Sequence, residues 1–201
     1  MANTDDLRYI RTEGAIRDAF MGLVAERSVS SVTVSELCRR AGISRNAFYL
    51  HYSGVQVLYS ALVGELVSDI RSEGLASSKR RASTGRDDAL VPSLVDALAR
   101  REGLLRALRP SDDGTLSKSL SGGIADALVD AALYFGERGG NFEHRLRCAY
   151  TAWGIVGFVS LWVSRTERPL SEALPHFEEL QASAIEASAT YLMKEGQKPL
   201  A

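Results

Sequence analysis

Between Val32 and Tyr52 the chain has room for two short helices and one tight turn, because the signals that start and stop each helix follow one another closely. Thr33-Val34-Ser35-Glu36 has capping-box form: the Thr33 hydroxyl can accept a backbone N–H while the Glu36 carboxylate reaches back. Val34, Leu37, Cys38 and Ala41 then fall at i, i+3, i+4 and i+7 of one helical face, and Gly42 supplies a left-handed stop. Ser44 can cap a second helix, from Arg45 to about Tyr52, after a turn containing Gly42 and Ile43. Two short helices joined this tightly describe a helix-turn-helix.

The flanking segments supply the rest of such a unit. From about Asp5 to Arg27, Ile16, Ala19, Phe20 and Leu23 form one helical stripe, followed by a polar break at Ser28 to Ser31. Ser53-Gly54 opens a longer helix whose stripe, Val55, Leu58, Tyr59, Leu62, Leu66 and Ile70, runs to about Glu73. Residues Gly74 to Asp88 are polar, basic and without period, as in a linker. Helical patterns return at about 88–108, 115–135, 142–165 and 175–194, with Gly122-Gly123 interrupting the second and Pro175 suited to the first turn of the last. There is no alternating strand pattern and no internal repeat. The expected architecture is all-α: an N-terminal three-helix unit, residues 1–53, joined by a connecting helix to a C-terminal helical unit within residues 54–201.

A chain of 201 residues with 45% apolar content can bury a substantial core. It holds no run of about 18 or more apolar residues, and Met1 to Asp6 is unlike a signal peptide, so the expectation is a cytoplasmic protein with no membrane partner. Cys38 and Cys148 lack ligand or disulfide spacing and read as buried thiols; no metal site and no cofactor are expected. The three histidines, His51, His144 and His176, lie in separate helices with no nucleophile or phosphate loop beside them, which leaves an enzyme with little support. Formal net charge is −1, and residues 1–60 carry seven arginines against six carboxylates, so any nucleic-acid contact must come from a local patch.

The stretch VTVSELCRRAGISRNAFYLHYSGVQVL, Val32 to Leu58, resembles the reader of TetR-family transcription factors, T-V-x-x-I-A-x-x-A-G-V-S-x-x-x-x-Y-x-H-F-x-x-K-x-x-L. Its ending, Phe48-Tyr49-Leu50-His51-Tyr52, is similar to the F-Y-x-H-Y subgroup that includes dihydroxyacetone kinase regulators. Resemblance covers about residues 8 to 66. It implies a double-stranded DNA operator as partner. A recognition helix sets its first residues against base edges, which makes Arg45 and Asn46 the expected base readers, able to pair with guanine and adenine respectively. Thr33, Ser35, Ser44, Tyr49 and His51 present donors suited to phosphates, which fix register without reading sequence. Plainer readings stand beside these: Thr33 and Ser44 as caps only, Arg39 and Arg40 as a solvated face, Phe48 and Tyr52 as core. The sequence departs from the family pattern at Val55, where a phosphate-binding lysine is usual, at Asn46 and Ala47, and at Leu50.

The resemblance further implies that the C-terminal region dimerises and binds a small-molecule effector. Gly154 and Gly157, with Phe158 and Leu161 nearby, permit close helix approach, and Phe177, Leu180, Ala184, Ala187 and Tyr191 form a second apolar face. The expected homodimer interface therefore comprises Gly154, Gly157, Phe158, Leu161, Phe177, Ala184, Ala187 and Tyr191, against the alternative of an intrasubunit core; effector residues are not assigned. The expected function is a regulator, a repressor, binding a near-palindromic operator as a dimer and released by the effector. The alternative is an adaptor or coactivator of the same fold acting through protein contacts.

Overall fold

The apolar stripe of the first segment folds as α1 (Thr4–Val24) and buries Ile16, Phe20 and Leu23 against α2 (Val34–Ala41) and α3 (Arg45–Tyr49). A single 3-10 turn, Val29–Ser31, occupies the polar break and drops Val29 into the same core. In this computed structural model the described residues are 4–84, 90–109, 112, 114–134, 142–177 and 179–180, and all regular structure among them is helical. Leu37, Phe48, Tyr52 and Leu58 complete the small core of the N-terminal unit.

Helix α4 (Val55–Thr84) carries the Leu62, Leu66 and Ile70 stripe out of the first unit and into the second. It runs past Glu73 to Thr84, which corrects the first part of the linker expected over Gly74 to Asp88; residues 85–88 lie outside the described residues. The polar run stays helical because its serines are satisfied within the fold. Ser78 Oγ donates to Gly74 O at 2.9 Å, Ser77 Oγ lies 3.1 Å from Ser93 Oγ on the next helix, and Arg80 pairs with Glu73. The pattern expected at 88–108 divides at Arg100-Arg101 into α5 (Leu90–Ala99) and α6 (Glu102–Leu108).

Helices α7 (Thr115–Tyr134) and α8 (Phe142–Arg165) close the second unit, with α7 packed between α4 and α8. The Gly122-Gly123 pair leaves α7 unbroken. A Cβ on Gly123 would lie 2.5 Å from Val67 Cγ1, so this glycine lets α7 approach α4. The C-terminal end of α8 is pinned by Arg106, whose guanidinium donates to Val163 O, Thr166 O and Arg168 O at 2.7 to 2.8 Å while Glu102 holds it from the other side. Helix α8 is long and apolar enough to cross a membrane by length and composition. Its Cys148, Ala152, Ile155, Val156, Val159 and Val163 are nevertheless buried, as in the core helix of a globular bundle.

After a 3-10 turn at Leu170–Glu172, helix resumes at Leu174. Two of the expected interface residues turn inward here. Phe177 is buried, and its ring meets that of Phe158 edge to face at 5.1 Å, so this pair closes the chain's own core and is not free to meet a partner. Ala184, Ala187 and Tyr191 lie outside the described residues. Gly154, Gly157 and Leu161 do face solvent, on a stripe of α8 that also exposes Phe142, Leu146, Tyr150 and Trp153.

Candidate nucleic-acid interface

The turn between α2 and α3 is shaped from both ends by capping. Glu36 N donates to Thr33 Oγ1 at 3.3 Å, and the Glu36 carboxylate accepts from Thr33 N and from the Thr33 hydroxyl, the latter at 2.8 Å. Those bonds, the Thr33 hydroxyl first and Arg27 next, hold the Glu36 carboxyl below the ordinary carboxylate range. Gly42 ends α2 at φ 67°, a left-handed conformation that costs other residues a Cβ clash. Ser44 Oγ accepts from Ala47 N at 3.1 Å and starts α3. Beneath the turn, the Cys38 thiol points toward Ser44 O at 3.8 Å, and burial pushes its pKa up.

This frame leaves one face of α2 and α3 open. Thr33, Ser35, Arg39, Ser44, Arg45, Asn46 and Tyr49 are all exposed on it. Arg45 and Tyr49 are four residues apart on α3 and face each other. A side-chain hydrogen bond to Tyr49 holds the Arg45 guanidinium still more firmly protonated. Leu50 stands beside them with 78% of its surface exposed, an apolar contact the sequence reading treated only as a departure from pattern. Arg40 lies back across α1, with its guanidinium over Gly22 and 2.8 Å from Glu26 Oε1.

His51 is the exception among the expected phosphate contacts. Its side chain is only 3% exposed, with Nδ1 2.8 Å from Glu13 Oε2 and its ring stacked on Tyr9 at 3.9 Å. The ring faces α1 and is not presented on the open face, contrary to the phosphate contact expected of it. The group that receives it, Glu13, was not singled out from sequence. Glu13 also accepts from the Tyr52 hydroxyl and from Arg17 Nε, and Arg17 goes on to a two-pronged pair with Glu65 of α4 at 2.6 Å. Burial works to raise the Glu13 carboxyl, but Tyr52, Arg17 and His51 together outweigh it and bring it below its ordinary value. The Glu13 and Arg17 spacing of i, i+4 in α1 was the available signal, though nothing in it points to His51 or Glu65.

At the start of α4, Val55 packs against the core of the first unit in the place where the TetR pattern carries lysine. Helix α4 therefore leaves the reader without that cation.

A second short helix fixed across the first by two caps, with its outer face open and rich in donors, defines a helix-turn-helix DNA-binding module. Residues 16–62 match the family described as bacterial regulatory proteins, tetR family, so the likeness to that family lies in this module. A curated relative, the uncharacterized HTH-type transcriptional regulator YxbF of Bacillus subtilis (strain 168), is 28% identical over 96 residues, which are 47% of this chain and 25% of that protein. The chain thus spans about a quarter of that relative's length. Among solved structures, the dihydroxyacetone kinase operon activator DhaS superposes with a TM-score of 0.59 at 15% identity, over 88% of this chain and 97% of that one, a likeness of fold. The TetR family repressor AlkX from Dietzia sp. strain DQ12-45-1b gives a TM-score of 0.49 at 22% identity, over 90% and 97% of the two chains.

Proposed function

We propose that the chain is a transcriptional repressor that binds a near-palindromic operator as a homodimer and releases it when a small molecule occupies the C-terminal unit. The observation that carries this reading is the open face of α3, where Arg45 and Asn46 stand exposed on a helix whose back is locked by Phe48, Ser44 and the Glu13 network. Arg45 and Asn46 read base edges; Thr33, Ser35, Ser44 and Tyr49 hold phosphates; His51 and Glu13 set the angle of α3. Pairing of two copies rests on the outer stripe of α8. Its exposed Phe142, Leu146, Tyr150, Trp153 and Leu161 make an apolar row larger than a lone surface residue explains, and Gly154 and Gly157 leave open space in its middle.

A second reading, an adaptor of the same fold working through protein contacts, is favoured by Val55 and by the near-balanced charge of residues 1–60. Titration of the full chain against genomic DNA fragments, run beside a pull-down from lysate, separates the two. Retention of a small set of fragments at physiological salt supports the operator reading. Capture of a protein with no fragment retained supports the adaptor.

A further inference from the structure

Where the ends of α6, α7 and α8 meet, the C-terminal unit has an open cleft of about 320 Å³, within the size range of small-molecule sites. Its chemistry is two-sided. Arg109, at the end of α6, and Arg165, in the last turn of α8, bring two guanidinium groups to it, and Ser117 and Ser160 bring hydroxyls. Trp153 and Val156 supply an apolar wall. No carboxylate lines the cleft among the described residues.

The state of Arg109 is the telling feature. Its Nε is buried and finds no hydrogen-bond acceptor. Among the described residues Arg109 forms an ion pair with Asp112 at 4.0 Å from Nη1, a separation beyond hydrogen-bond reach. Asp112 is already committed to the N-terminus of α7, accepting from Gly114 N, Leu116 N, Ser117 N and the Ser117 hydroxyl at 2.6 to 3.2 Å. Arg165 makes no ion pair among the described residues. A buried N–H of a charged group without an acceptor is unfavourable, and two guanidiniums beside hydroxyls, one with an N–H lacking an acceptor, attract an anion that can accept from both.

We propose that this cleft binds a small organic anion with a flat apolar body, its carboxylate on Arg109 and Arg165 and its body against Trp153 and Val156. The proposal rests on the reading of the chain as effector-controlled and names the class of effector. Arg109 ends α6, and α6 packs against α1 of the DNA-binding unit. Drawing Arg109 toward a ligand therefore acts on the element that leans on the reader. The rim at Gly157 and Leu161 also belongs to the exposed stripe of α8, so the ligand sits at the edge of the proposed dimer face.

The test uses the full chain, calorimetric titration and tryptophan fluorescence, with naphthalene-2-carboxylate and its neutral carboxamide as probes. The carboxylate should bind at least tenfold tighter than the amide. Arg109→Gln should bring the two probes to equal affinity, Arg109→Lys should keep part of the preference, and Arg165→Gln should weaken the carboxylate severalfold. Circular dichroism identifies any variant that fails to fold, in which case Arg165→Gln, on an exposed side chain, carries the test. Equal binding of the two probes to the wild type, binding of neither, or a preference unchanged in both glutamine variants overturns the proposal. DNA binding is measured separately on the same samples. Anion preference without any DNA binding would leave the cleft standing and remove the regulator reading; DNA binding without anion preference would do the reverse.

Discussion

In the proposed reading, Arg45 and Val55 differ in what a single side chain offers to DNA. Arg45 is exposed at the first position of α3, and its guanidinium can donate two hydrogen bonds to one guanine. Val55 packs against the core, so this position offers no cation to a phosphate. Val55→Lys should therefore steepen the salt dependence of DNA binding by about 0.9 in log K per log salt for each new contact, measured by anisotropy titrations across a salt series. A slope unchanged from wild type would mean that the start of α4 does not reach the backbone. The sequence made the caps and the exposed start of α3 legible because each follows from its distance to Thr33 or Ser44 along a few residues of chain. His51 was misplaced because its environment comes from Tyr9 and Glu13, about forty residues away, and no local spacing reports which way a ring turns.

At the scale of elements, two joints matter. The first is the polar network in which Glu13 of α1 takes His51, Tyr52 and Arg17, with Arg17 reaching Glu65 of α4. Burial first, then the bond to Glu13 and its charge, pushes the Tyr52 phenol up to about 12 from an ordinary 10.0. Its contribution to stability is complete below pH 10 and is lost as the pH rises toward about 12. Glu13 has the opposite sign: its lowered carboxyl stabilises above its unfolded value of 4.5, and that stabilisation disappears as the pH falls through the folded value. Urea unfolding of Tyr52→Phe should show a loss of about 1.5 kcal/mol at neutral pH and a flatter response between pH 10 and 12 than wild type. Parallel alkaline curves for the two proteins would remove Tyr52 from the joint.

The second joint is the crossing of α4 and α7 at Gly123. Gly123→Ala would place a methyl carbon 2.5 Å from Val67 Cγ1, on a β-branched side chain with little room to turn. A loss of about 1–3 kcal/mol is expected from thermal or urea unfolding, even though alanine is the better helix former. From sequence the same glycine pair looked like a weak point in the helix. Propensity is local and packing is not, and the polar run after Gly74 misled for the same reason, since Ser77 is satisfied by Ser93 on a different helix.

For the whole molecule the proposed pairing rests on the outer face of α8. Gly157 has nothing within 4 Å of where a Cβ would stand, so Gly157→Arg puts a long cation into open space without disturbing the chain's own core. Light scattering should show a dimer for wild type at micromolar concentration and a shift toward monomer for the variant, with helical content unchanged. A dimer indifferent to the substitution would place the interface elsewhere. The sequence located α8 well because its apolar residues recur without interruption, yet it assigned Phe158 and Phe177 to the outside, where only the folded bundle reveals that they face each other. The central claim, sequence reading by α3, is tested most directly by selecting binding sites from random DNA with the full chain and then titrating Arg45→Ala and Tyr49→Phe on the selected duplex and a scrambled one. The account predicts a near-palindromic selected site, a loss of roughly 1–3 kcal/mol per half-site for Arg45→Ala confined to that site, and a similar weakening on both duplexes for Tyr49→Phe. A wild-type chain that enriches no sequence at low salt, or an Arg45→Ala variant that weakens both duplexes alike, would contradict it.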